Sequence, residues 1–208
     1  VDDGVKTLPE TLELLKEMEN QGVAELWFTP HIMEDMPNDP ADLRRLFAEV
    51  QNAWQGTVKL HLAAENMLDN LFESRLDKDD LLPIEKGGKR YLLVETSYFN
   101  PPMDMLDILK RIQQKGYFPL LAHPERYEYM SMKDYKALKD ADILFQLNLP
   151  ALGGAYGQGV QKKAESLLKA GMYDFWGCDV HSKRFWNYVM ASPLSAGLRS
   201  SIQSLMSP

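Results

Sequence analysis

Three of the four histidines in the 208-residue chain stand beside acidic residues in a recurring position, directly after an apolar run. His31 follows residues 23–29, Glu65 follows residues 57–64, and Glu95 follows residues 91–94. His123 follows residues 118–122, and Asp179 and His181 follow residues 173–178. A sixth apolar run, residues 143–147, ends beside Asn148. Imidazoles and carboxylates without a thiolate cluster suit Zn, Mn or Fe, not an iron–sulfur or cysteine-rich structural centre. A carboxylate has two oxygens, so Glu65 or Glu95 could bridge two ions. Adjacent divalent ions polarise a phosphoryl oxygen and lower the pKa of a bound water, which can then attack phosphorus in line. Arg126 lies three residues after His123, and Arg184 three after His181. A guanidinium can hold phosphate oxygens through parallel hydrogen bonds and offset the charge that builds during transfer. The chemistry these residues could perform together is metal-assisted phosphoester hydrolysis.

Such residues act jointly only if a scaffold brings them to one place. Each apolar run reads as a short strand, and helical periodicity separates the runs. Thr7-Leu8-Pro9-Glu10 has the form of a capping box, followed by Leu12, Leu15 and Met18, with Gly22 as the stop. Helices are predicted over residues 40–54 (apolar face Leu43, Leu46, Phe47, Val50), 105–115, 132–139 and 160–170, with a closing helix over 195–206. Residues 77–89 and the glycine-rich 153–159 read as loops. Six strands alternating with helices imply parallel βαβ units, as an open doubly wound sheet or a barrel. In either, the C-terminal strand ends form the active face.

The composition fits one globular domain spanning residues 1–208, with 45% apolar and 25% charged residues. A net charge of −7 is a poor match for nucleic acid or an anionic membrane. No run is long enough to span a bilayer, and no signal peptide is visible. The single cysteine, Cys178, forms no intramolecular disulfide, which fits a cytoplasmic, reducing compartment. Cys178 reads as core and not as a nucleophile. His61 lies inside a predicted strand and reads as packing or surface. The methionines read as packing or lid residues. Gly153, Gly154 and Gly157 lack the Gly-Lys-Ser/Thr that would complete a phosphate-binding loop.

Val1-Asp2-Asp3-Gly4, Thr29-Pro30-His31, Glu65, Val94-Glu95, Ala122-His123-Pro124-Glu125-Arg126 and Cys178-Asp179-Val180-His181, in that order, resemble the PHP (polymerase and histidinol phosphatase) superfamily. Within it they are similar to the bacterial capsule-associated, manganese-dependent tyrosine phosphatases. The resemblance implies a distorted (β/α)7 TIM-like barrel holding two or three divalent ions, manganese by preference, with iron or zinc as alternatives. It implies that Asp3, His31 and His181 ligate one ion and Glu65 and His123 a second, that Glu95 is shared, and that Asp179 closes the first site. Arg126 matches the family arginine that contacts phosphate; the family's second arginine falls slightly beyond the position of Arg184. The implied substrate is a phosphotyrosine-bearing protein, a bacterial tyrosine autokinase of capsule or exopolysaccharide export, attacked by metal-activated hydroxide. Family members also begin with a strand ending in His-x-His. The chain given starts at Val1, so this first strand is expected upstream. The alternatives are a small-molecule phosphoesterase such as a histidinol-phosphate phosphatase, or a non-catalytic metal-binding barrel lacking its first site.

Overall fold

The first helix, α1 (Leu8–Asn20), begins where Thr7 accepts a hydrogen bond from the Glu10 backbone N–H, with Pro9 in the first turn where its missing N–H costs nothing. The computed structural model describes residues 3–192 together with Ile202 and Leu205. Most of the closing helix expected over 195–206 lies outside the described residues; Ile202 and Leu205 pack against the main core.

Strand β1 (Glu25–Phe28) is followed by β2 (His31–Ile32), helix α2 (Pro40–Ala53), β3 (Lys59–Leu62) and β4 (Glu65–Met67). The apolar runs 23–29 and 57–64 each hold one strand as expected, β1 and β3, and a further short strand, β2 and β4, follows each. Pro30, which has no N–H to give to a ladder, separates β1 from β2. Opposite it, Ala63 and Ala64 separate β3 from β4, their N–H groups donating to Phe28 and Leu82 carbonyls. The chain continues through α3 (Phe72–Lys78), β5 (Ile84–Lys86), β6 (Lys89–Glu95), α4 (Met105–Gln114), β7 (Phe118–Ala122), a 3-10 turn (Pro124–Arg126) and α5 (Met132–Asp140). It ends with β8 (Leu144–Asn148), α6 (Leu149–Leu152), α7 (Gln158–Lys169), β9 (Phe175–Gly177) and α8 (Lys183–Ala191).

Residues 77–89, expected as a loop, hold the end of α3 and a β-hairpin. Gly87 and Gly88 form its two-residue turn, both with positive φ, and join β5 antiparallel to β6. Leu81, Leu82 and Ile84 in this stretch are buried, but the surrounding charges mask their pattern.

β1 pairs with β3, and β2, β4, β6, β7, β8 and β9 follow one another in parallel, giving a curled half-barrel of parallel strands with β5 on its flank. Alternate residues serve two cores. Leu92, Val94, Leu121, Phe145 and Leu147 pack outward against the helices. Tyr91, Leu93, Leu120, Ala122 and Phe175 pack on the inner face. Each buried Leu, Val or Phe side chain among them contributes roughly 1.5–3 kcal/mol. An apolar cavity of about 430 Å³ opens between β1 and β9, lined by residues such as Leu15, Trp27, Phe47, Trp176 and Trp186. Leu43 is the buried member of the apolar face of α2, and Leu43, Leu46, Phe47 and Val50 all line this cavity. Among the described residues no helix is long and apolar enough to cross a membrane.

Candidate metal centre

Parallel pairing aligns the strand ends. His31 on β2 is in register with Glu65 on β4, and Met67 on β4 with Glu95 at the end of β6. Adjacent strands are about 4.8 Å apart, so side chains on the shared face converge. His31 Nδ1 lies 3.1 Å from Glu95 Oε1 and 3.7 Å from Glu65 Oε2. From the other side, His123 Nε2 lies 3.0 Å from Glu65 Oε1 and 3.6 Å from Glu95 Oε2. Both carboxylates therefore stand between the two imidazoles, one oxygen toward each. The opposite nitrogen of His31, Nε2, is 3.5 Å from Asp3 Oδ1, which lies 3.1 Å from His181 Nε2. Asp179 Oδ1 is 3.4 Å from His181 Nδ1.

His123 departs from strand alternation. Ala122 faces the inner core, so the next side chain should face outward; a positive φ of 33° at His123 turns the imidazole back toward Glu65. Asp179 has φ 49°. Non-glycine residues held there carry strain that the surroundings must support, a frequent mark of functional sites. Two buried tyrosines supply that support: Tyr127 donates to the Ala122 carbonyl and Tyr135 to that of Pro124, both at 2.9 Å.

The cluster is electrostatically unbalanced. Burial, followed by the charge of Glu95, pushes the Glu65 carboxyl up. Burial acts to lower His31, but contact with Glu95 and the charges of Glu65 and Asp3 outweigh it and raise its pKa to about 9. His123 is likewise raised, burial being outweighed by Glu65 and Glu95. Protons are thus drawn into a pocket of buried negative charge, which divalent cations could neutralise instead.

The donor set fits such ions. Glu65 Oε1 and Glu95 Oε1 are buried acceptors without a hydrogen-bond donor among the described residues, despite the nearby imidazole nitrogens. Ligand atoms bound about 2.0–2.2 Å from one ion, at ordinary coordination angles, lie roughly 3–3.6 Å from each other. The cluster's contacts fall in or close to that range. Two groupings bring their ligand atoms within 4.8 Å of one another: Asp3, His31 and His181, and His31, Glu65 and Glu95. His31 belongs to both, so it and the carboxylates stand at the junction.

Arg126 follows on the 3-10 turn, its Nη1 donating to Asp179 Oδ2 at 3.1 Å. Arg184 is exposed on the first turn of α8 and makes none of these contacts. His61 stays outside the cluster, stacked on Trp27 and 2.7 Å from Glu25. Burial pushes the Cys178 thiol up to about 12, unsuited to nucleophilic attack. Tyr98 and Tyr156 carry no motif in the sequence, and Glu125 enters there only as a member of the Ala122–Arg126 motif, with no role of its own. Tyr98 follows Glu95 by three residues, and Tyr156 lies on the glycine-rich loop. Glu125 is fully buried, accepting from the Asn148 N–H and the Tyr173 hydroxyl, both at 2.9 Å. Asn148, noted only as a strand end, is tied to the site through its own side chain.

The fold and the cluster together define an α/β protein with a candidate cation site at the ends of parallel strands. Its architecture superimposes with a TM-score of 0.78, at 21% identity, on a solved structure from work on YwqE from Bacillus subtilis and CpsB from Streptococcus pneumoniae, described there as unique metal-dependent tyrosine phosphatases; the match covers 100% of this chain and 92% of that one. Residues 1–192 match the model of the capsular polysaccharide synthesis family CpsB/CapC, and the chain belongs to that family. It is 25% identical over 196 residues to the tyrosine-protein phosphatase YwqE of Bacillus subtilis, covering 90% of this chain and 76% of that protein. It is 26% identical over 205 residues to the tyrosine-protein phosphatase CpsB of Streptococcus agalactiae, covering 88% and 79%.

Proposed function

We propose that this chain is a metal-dependent protein-tyrosine phosphatase. Its substrate is phosphotyrosine on a bacterial tyrosine autokinase, in the cytoplasmic control of capsule or exopolysaccharide production. The observation that carries the reading is the buried Glu65–Glu95 pair between His31 and His123, with Arg126 nearby. Kinship with proteins named tyrosine phosphatases supports the substrate class.

Asp3, His31 and His181 would hold one ion, with Asp179 beside them, and Glu65, Glu95 and His123 a second. Manganese is the preferred ion; iron and zinc accept the same ligands. Bound there, divalent ions supply a water of lowered pKa and neutralise phosphoryl charge. Arg126 binds and orients the phosphate with the guanidinium N–H groups that Asp179 does not take. Arg184 would add a second phosphate contact by swinging its exposed side chain toward His181. The whole chain acts as one domain, and its curl is read as a distorted (β/α)7 barrel. The apolar cavity between β1 and β9 supports that reading, being bounded by two strand edges and lined as a barrel interior would be.

Initial rates of the manganese-loaded protein on a phosphotyrosyl peptide and on histidinol phosphate test the reading. Faster turnover of the peptide is expected. Preference for histidinol phosphate would overturn the substrate assignment, and bound metal without turnover of either would make the site a non-catalytic cation site.

A further inference from the structure

Arg126 is held by more than its ion pair. Its guanidinium carbon lies 4.4 Å from the ring centroid of Tyr98 and 4.4 Å from that of Tyr156. The two rings come from separate parts of the chain, Tyr98 from the loop after β6 and Tyr156 from the loop before α7. Behind Tyr156 stands a buried polar relay. Asn148 Nδ2 donates to the Tyr156 hydroxyl at 3.2 Å and to Asp179 Oδ2 at 3.1 Å, the same carboxylate oxygen that receives Arg126. The Asn148 backbone N–H is fixed by Glu125, which Tyr173 holds in turn. Glu125 is adjacent to Arg126 in sequence, so the relay leaves Arg126's own turn and returns to its charged end.

We propose that Tyr98 and Tyr156 are positioning residues that clamp Arg126, with Asn148 coupling Tyr156 to Asp179. This rests on the reading of Arg126 as the phosphate-binding residue. A free arginine side chain samples many rotamers, and ordering it when phosphate arrives costs affinity. Two aromatic faces attract the cation and restrict the guanidinium plane before substrate binds. One N–H edge is spent on Asp179, and the others remain for phosphate oxygens. Tyr98 also approaches His123, with ring centroids 5.8 Å apart, so the clamp relates the arginine to the cation cluster.

The test is a double-mutant cycle. Tyr98→Leu and Tyr156→Leu are made alone and with Arg126→Ala, alongside Tyr98→Phe and Tyr156→Phe. Turnover of a phosphotyrosyl peptide, metal content and calorimetric affinity for inorganic phosphate are measured on each. Each leucine variant is expected to weaken turnover and phosphate affinity about tenfold at unchanged metal content, with phenylalanine recovering most of the loss at 98 but only part of it at 156, where it lacks the hydroxyl that Asn148 holds. In the Arg126→Ala background the leucine substitutions should add nothing. Leucine variants that match the parent, or that lose as much again without Arg126, would overturn the clamp. So would an Arg126→Ala variant that binds phosphate normally. If a leucine variant fails to fold, methionine, which keeps bulk but has no π face, takes its place with the same expectation. The phosphate arm needs no turnover, so a protein that binds phosphate through the clamp but hydrolyses nothing would refute the phosphatase reading and leave the clamp standing.

Discussion

His31 is the residue on which the proposed cation site turns, because its two ring nitrogens face different groups of acidic oxygens. Its pKa in the folded, cation-free protein is about 9, above its ordinary 6.5. The sign follows from linkage: protonated His31 stabilises the cation-free fold fully below about 6.5, and that contribution is lost as pH rises through 9. A divalent ion competes with the same proton. Metal affinity should therefore rise with pH across this window, and calorimetry in buffers of different ionisation enthalpy should record proton release near neutrality. Affinity independent of pH would remove His31 from the site. Glu95→Gln preserves size but deletes a buried charge from between the imidazoles; metal affinity should fall by at least the roughly 10–100-fold seen for loss of an outer supporting contact. Cys178→Ser should leave turnover intact. Loss of turnover at normal metal content would indicate a thiol nucleophile and contradict the mechanism.

At the scale of elements, the strand ends were legible because each acidic or histidine residue follows an apolar run. What the sequence concealed has physical causes. Two further strands, β2 and β4, lie just beyond the expected runs, across Pro30 and Ala63-Ala64, and at two and three residues they are too short to show periodicity. The β5–β6 hairpin hid in a charged stretch, although Gly87-Gly88 is the two-glycine turn such hairpins favour. Both glycines have positive φ, where a β-branched side chain is strained. Gly87→Val should cost roughly 1–2 kcal/mol and lower the melting temperature without changing metal content. An unchanged melting temperature would mean that the hairpin contributes little to stability. The Tyr98–Arg126–Tyr156 stack was illegible for another reason: its members lie on two loops and a 3-10 turn, and spacing along the chain carries no trace of such a meeting.

Across the whole molecule, the scaffold's task is to hold buried negative charge at one end of a parallel sheet. The cost is offset by apolar packing on both sheet faces, with Leu93, Leu120 and Phe175 beneath the site and Leu121 and Phe145 beyond it. Leu120→Ala should destabilise the protein by about 2–5 kcal/mol in denaturant unfolding. The family kinship and the curled sheet agree with this layout, and the central claim is that the strand-end cluster binds the ions on which phosphotyrosine hydrolysis depends. The most direct measurement is hydrolysis of a phosphotyrosyl peptide by chelator-treated protein during titration with manganese, with bound metal counted in parallel. No turnover is expected after chelation, with recovery that tracks the binding of at least two ions per chain. Turnover that survives chelation, or stays absent with both ions bound, would contradict that claim.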